Sequence, residues 1–264
     1  MITSSQNPLI KRIRRLRQKK YRQSEGVFFV EGLRVVASAL EHGAVVERLI
    51  WCNKFLKSAF GRELIDSAEI PTTELAPTLF KSISERDNPI GLAAIIRTPT
   101  ALLDTLNIQS PSVFVALHEI GDPGNLGTII RTVDAAGANG VILVGNTVDV
   151  GHSSVVKASM GALFNVPIVT VRTMDALLIG AKQHQLQTIA TTANTETDYR
   201  STNYQLPALL IMGNEGRGLS AEILTQTDLA VSIPMRGTSS SLNLAVATGL
   251  MLYEITARVQ RKRV

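Results

Sequence analysis

The sequence predicts an α/β protein of two domains, the second built on a parallel sheet and the first a smaller α/β unit. Three observations carry this. The chain has 264 residues, of which 45% are hydrophobic and 19% charged, which is ample for a core and longer than one ordinary domain. From residue 27 short apolar runs alternate with helix-patterned stretches. From residue 112 those runs are hydrophobic almost without interruption, the pattern of strands covered on both faces.

Composition excludes several classes. The chain lies outside the polar, highly charged range of disordered proteins. Its single cysteine, Cys52, can form no internal disulfide and no multi-cysteine zinc or iron–sulfur site, and the four histidines show no ligand spacing. The expectation is a metal-free site and a reducing, cytoplasmic setting. The longest near-continuous apolar stretch, Leu242 to Tyr253, is interrupted by Asn243 and Thr248 and is too short to cross a bilayer.

Charge is unevenly placed. Residues 1–22 hold Lys11, Arg12, Arg14, Arg15, Arg17, Lys19, Lys20 and Arg22 and no acid, while the rest of the chain is slightly acidic. Such asymmetry points to a polyanion met by a basic arm, nucleic acid first. Leu9, Ile10, Ile13 and Leu16 recur at helical spacing, so residues 8–20 are expected to form an amphipathic helix with an arginine-rich outer face. A frayed tail or a transit peptide is the competing reading of residues 1–24.

The elements follow in order. VFFVEG reads as a strand, LRVVASALEHG as a helix closed by Gly43, and ERLIWC and GLAAIIR as further strands, giving an α/β unit over 25–97. Residues 98–111, with two prolines and no sustained period, read as a linker. Residues 112–264 then offer six buried-strand candidates: SVFVALHE, GVILVG, VPIVTV, LQTIATTA, PALLIMG and LAVSIP. Their connecting loops are where a site is expected.

Three segments carry chemistry. In HEIGDPGNLGTIIRTVDAAGANG, Asn125 is a candidate helix N-cap and Leu126, Ile129, Ile130 and Val133 form one buried stripe. Arg131 lies off the stripe on the face shared with Gly127, placed either to meet a phosphate or carboxylate or simply to pair with Asp134. In LLIMGNEGRGLS a strand runs into Gly213, Gly216 and Gly218, which leave main chain uncovered for a nucleotide-like ligand or make a tight turn. Glu215 is the only acid in that loop. In VSIPMRGTSSSLNLAVATGLMLYE, Pro234 ends a strand, and Ser241 or Asn243 opens a helix that is apolar on nearly every side as far as Tyr253. Such a helix is covered by its own domain alone or also by a second subunit.

Taken together, NLGTIIR, GNEGRGLS and IPM…SLN, in this order, resemble the three signature motifs of the SpoU (TrmH-type) branch of the SPOUT RNA methyltransferases. KASMGALFNVPI, residues 157–168, is also similar to a stretch of that family. The resemblance covers roughly residues 112–256. Residues from about Glu25 to Arg97 are similar in pattern to the ribosomal-protein-like substrate-binding domain often found ahead of it. The family implies a deep trefoil knot, which periodicity does not show and which the rarity of knots argues against.

The resemblance implies S-adenosylmethionine as cofactor, with Met212, Gly213, Asn214, Gly216 and Gly218 beside it. Ile233, Pro234 and Met235 would line the adenine pocket, and Leu242 would close it. It implies methyl transfer to a ribose 2′-hydroxyl, with Arg131 at the reacting oxygen and Asn125, Glu215, Ser241 and Asn243 around it. Arginine stays protonated far above neutrality. Two roles for Arg131 therefore stand: proton acceptor, or clamp on the neighbouring phosphate. The added N-terminal domain favours ribosomal RNA, of the large subunit, over tRNA, and the family implies a homodimer. The competing classes are a non-catalytic RNA-binding assembly protein with the same fold, and a nicotinamide-dependent dehydrogenase, whose glycine fingerprint GDPGNLG does not fit.

Overall fold

The computed structural model describes residues 1–101, 103, 106 and 108–261, except for the side chains of 258–261. It divides into two compact units, one of residues 1–99 with 149–164, the other of residues 100–148 with 165–264. A stretch inside the second half of the sequence thus belongs to the first unit.

The first unit carries a four-stranded sheet of β1 (Val27–Glu31), β2 (Val46–Trp51), β3 (Thr72–Glu74) and β4 (Leu92–Arg97) in the order β1-β4-β2-β3. β4 pairs antiparallel with both β1 and β2, while β3 lies parallel to β2. β4 is buried from Leu92 to Ile96, as its central place requires. Around the sheet lie α3 (Leu33–Glu41), α4 (Ala59–Asp66), α5 (Pro77–Ile83) and α7 (Ser153–Ser159).

The basic segment is not a separate arm. It forms two helices, α1 (Pro8–Arg15) and α2 (Lys19–Glu25), rather than one helix over 8–20. Ile10, Ile13 and Leu16 are buried in one core with Val27, Phe80 and Ile95. The break has a local cause. Arg22 folds back to donate to the carbonyls of Leu16 and Arg17 at 2.9 and 2.8 Å, satisfying groups a helix end leaves open. It also pairs with Asp149 at 2.7 Å and is 6% exposed. Arg12 is held by Glu25 and Glu47 at 2.6 and 2.9 Å. Arg12 and Arg22, two expected RNA contacts, are therefore consumed inside the unit, because each lies beside an acid distant in sequence. Lys11, Arg14, Arg15, Arg17, Lys19 and Lys20 remain on the surface.

The second unit is built on six parallel strands: β5 (Val113–His118), β6 (Gly140–Val144), β7 (Ile168–Val171), β8 (Gln187–Thr191), β9 (Ala208–Met212) and β10 (Leu229–Val231). Their order is β10-β8-β9-β5-β6-β7. β6 and β9 are buried throughout, matching their unbroken hydrophobicity. Helices α6 (Pro123–Ala135), α8 (Met174–Gln183), α9 (Ala221–Thr225) and α10 (Leu244–Arg261) complete the unit. Part of the expected linker is structural: Ala101 bridges to Val169, and Leu103, Leu106 and Ile108 pack on the core. Successive strands run from β5 outward to β7, and β8, β9 and β10 then fill the opposite side. The strand order thus reverses between the neighbours β5 and β9, and an open α/β sheet binds ligands at the carboxyl ends of its strands at such a point.

Candidate active site

The carboxyl ends of β8, β9 and β10 lead into the loops that enclose a cavity of about 320 Å³. Its walls include Thr191, Thr192 and Ala193 at the end of β8, Met212 to Glu215 and Gly218 at the end of β9, Ile233 and Met235 after β10, and Ser240 to Leu244 at the entrance to α10. Asn125 reaches it from α6. All three motif segments, spread over residues 125–243, meet here.

Each element holds its residue for a local reason. α6 starts at Pro123, and Asp122 rather than Asn125 is its N-cap, accepting from Asn125 N–H at 2.7 Å. The Asp-Pro pair is the sequence signal for that start. The displaced Asn125 side chain is thereby free to face the cavity. After β9 the chain turns so tightly that a Cβ at residue 213 would collide with the main chain of Gly218, lying 2.6 Å from its carbonyl oxygen. Gly218 itself has φ +66°, the left-handed region that favours glycine. Asn214 closes this loop on itself, accepting at Oδ1 from the N–H groups of Gly216 and Arg217 at 3.0 and 3.2 Å, and ties it to the loop after β5 by donating to Glu119 O at 2.9 Å. Asn243, not Ser241, caps α10: its Oδ1 accepts from Ala245 and Val246 N–H at 2.9 and 3.3 Å.

One hydrogen-bond network joins the motifs. Glu215 accepts from the N–H groups of Gly121 and Asp122 at 3.2 and 3.1 Å and from Asn125 Nδ2 at 3.3 Å. Asn125 Oδ1 in turn accepts from Asn243 Nδ2 at 2.9 Å. Each amide nitrogen carries two N–H groups, so both Asn125 and Asn243 keep one donor for a ligand. Burial by itself raises the Glu215 carboxyl, but hydrogen bonds from its own N–H, from Asp122 and Gly121, and from Asn125 outweigh it and hold the group below the usual carboxylate range. Glu215 is thus a fixed anion that orients Asn125, not a proton acceptor near neutrality.

The expected residues divide. Met212, Gly213, Asn214, Gly218, Ile233, Met235, Leu242, Asn125, Glu215, Ser241 and Asn243 line the cavity. Gly216 and Pro234 do not, and Gly216 serves the turn instead. Arg131 also lies outside the wall, exposed on α6. Its expected alternative partner, Asp134, accepts from Asn165 Nδ2 at 2.6 Å, and among the described residues Arg131 makes no ion pair. The sequence reading missed Thr191, Thr192 and Ala193. Their only signal is position, at the carboxyl end of the strand beside β9. The pairing order that puts them there is not visible in one sequence. Among the described residues no group of three His, Cys, Asp or Glu is placed to hold a metal, and no helix is long and apolar enough to cross a membrane.

Comparisons with known proteins agree with this geometry. Residues 112–253 match the SpoU rRNA Methylase family, and residues 7–94 match an MRM3-like substrate binding domain, which takes in α1 and α2. The chain is 32% identical over 245 residues to the 23S rRNA (uridine(2479)-2′-O)-methyltransferase of Streptomyces viridochromogenes, covering 90% of this chain and 85% of that protein. It is 28% identical over 262 residues to the 23S rRNA (guanosine(2553)-2′-O)-methyltransferase of Bacillus subtilis, covering 96% and 98%. The AdoMet-bound rRNA methyltransferase structure from Sinorhizobium meliloti superposes with a TM-score of 0.88 at 36% identity, over 97% of each chain. With its three motifs closed round one cavity where the strand order of a six-stranded parallel sheet reverses, and with the family match over residues 112–253 covering more than half of the chain, the chain belongs to the SpoU rRNA methylase family.

Proposed function

We propose that the protein transfers a methyl group from S-adenosylmethionine to a ribose 2′-hydroxyl of ribosomal RNA, of the large subunit. The observation that carries this is the network in which Glu215 fixes Asn125 and Asn125 fixes Asn243 at the mouth of the cavity. The residues fit the cofactor. Met212, Val231, Ile233 and Leu242 supply apolar wall, and the 213–218 loop presents main chain without side-chain cover, as a ligand half apolar and half polar requires. Met235 and Leu242 are each 38% exposed, apolar side chains left open at the rim for a ligand to cover.

When bound, the cofactor supplies an electrophilic sulfonium methyl. The chain's own work is alignment and charge. The free donors of Asn125 and Asn243 orient oxygens at the mouth of the cavity, while Ser241 offers a hydroxyl beside them. The 2′-hydroxyl is a poor nucleophile at neutral pH and needs its proton removed or its developing charge met. We assign this to Arg131, as acceptor or as phosphate clamp. Because Arg131 stands outside the wall that holds the other motif residues, it acts on RNA rather than on the cofactor.

The remaining parts of the reading are these. Lys11, Arg14, Arg15, Arg17, Lys19 and Lys20 contact RNA phosphates from the surface of α1 and α2. The protein is a homodimer through α10, works in the cytoplasm without a metal, and follows the family's knotted path in the segment leading to α10. The test is transfer of labelled methyl from S-adenosylmethionine to purified ribosomal RNA and to tRNA. Methylated positions are then mapped by their resistance to alkaline cleavage, which needs a free 2′-hydroxyl. Label in ribosomal RNA at an alkali-resistant linkage is expected. Label on a base, or in tRNA alone, would refute the assignment.

A further inference from the structure

The first unit has a cavity of its own, about 700 Å³, that the methyl-transfer reading does not use. It lies between the start of α3, α4, the loop at Arg86 and the end of α7. Two features of its wall point to a ligand. Phe60 and Met160 are 47% and 45% exposed there, large apolar groups with nothing over them. Arg34 and Arg86 are exposed and, among the described residues, make no ion pair, while Lys157 has only a loose partner in Glu85 at 3.6 Å. Glu31 is held in the wall, accepting at Oε2 from Ser84 Oγ at 2.7 Å and from Glu85 N–H at 3.4 Å.

Each feature constrains what fits. An exposed aromatic ring offers a stacking platform. Free arginines favour phosphate, and three cations stand against Glu31 and Glu41 in the wall. The guanidinium of Arg86 rests on the main chain of Gly32, where a Cβ would lie 3.2 Å from its Nη2. Gly32 has φ +133°, so no side chain competes for that space.

Resting on the RNA-methyltransferase reading above, we propose that this cavity seats one unpaired nucleotide of the RNA substrate, its base against Phe60 and its phosphate on Arg34 and Arg86. The match of this unit to a substrate binding domain favours RNA over an acidic protein as the occupant. The cavity then recognises substrate at a point distinct from the methyl-accepting ribose.

The experiment uses the full chain and a fluorescein-labelled single-stranded RNA of ten nucleotides, with binding read by anisotropy at several salt concentrations. Phe60→Ala is expected to weaken binding about tenfold, the size of one lost base stack, and Phe60→Trp to keep it. Arg34→Gln with Arg86→Gln is expected to reduce the salt slope, d log K/d log[salt], by about 0.7, one single-strand phosphate contact. All these side chains are substantially exposed, so melting temperature and cofactor affinity by calorimetry should stay at wild-type values. Wild-type affinity and slope in Phe60→Ala and in the double variant, with methyl transfer intact, would overturn this inference alone. A wild-type protein that neither binds RNA nor transfers methyl would overturn both it and the function proposed above.

Discussion

Arg131 and Glu215 show how differently two charged residues of one site are held. Arg131 has no ion pair among the described residues and stays outside the cofactor cavity. Arg131→Ala should therefore leave S-adenosylmethionine affinity unchanged by calorimetry, while single-turnover methyl transfer falls by roughly 10²- to 10⁴-fold, the usual share of a group assisting proton transfer. Near wild-type turnover would remove Arg131 from the mechanism. Glu215 is instead tied down by main-chain donors, and its carboxyl is held below the ordinary range. A lowered folded pKa contributes stability that is fully present above the unfolded value, about 4.3, and is lost as pH falls through the folded value. Glu215→Gln should melt below wild type by a constant margin above about pH 5, and the margin should shrink below about pH 4.3. A margin that does not depend on pH would mean that the carboxylate charge does not hold the loops.

Among the elements, α1 is the one whose role the structure changes most. Its charge suggested a basic amphipathic arm set apart from the folded domain, yet Ile10 and Ile13 are fully buried and Arg22 of the next helix is locked to Asp149. Removing residues 8–22 would expose the core of the first unit rather than trim a tail. Ile13→Ala should cost about 3 kcal/mol in a urea titration, a large-to-small change in a closed core. A loss below about 1 kcal/mol would indicate that the helix is only loosely docked. The amphipathic period in 8–16 was legible in the sequence. What it could not show was where the apolar stripe goes, because a basic outer face is compatible both with RNA and with solvent.

At the scale of the whole molecule, α10 carries an apolar stripe that its own unit leaves exposed. Ala245, Thr248, Met251, Leu252 and Ile255 are buried in its own unit, but Val246, Leu250 and Tyr253 are 52%, 41% and 55% exposed. These three recur at i, i+4 and i+7, a second apolar stripe on one helix face. A second copy meeting the same stripe gives a closed two-fold pair. Sedimentation at micromolar concentration should show a dimer, and Leu250→Glu should yield a monomer by placing a charge in the contact. An active wild-type monomer of 28.5 kDa would exclude the pairing.

Sequence alone determined the six strands of the second unit, since unbroken hydrophobicity is a local pattern; it left the glycines of 213–218 as either a tight turn or a ligand loop, and the motif residues of the cavity came from the resemblance to the SpoU family rather than from any local period. Tertiary structure decided the rest. The strand order places Thr191 to Ala193 beside Met212, and the docking of residues 149–164 in the first unit gives Arg22 its partner. The meeting of Glu215, Asn125 and Asn243 spans up to 118 residues of chain. Such pairings depend on which distant segments lie side by side, and a local period carries no information about that.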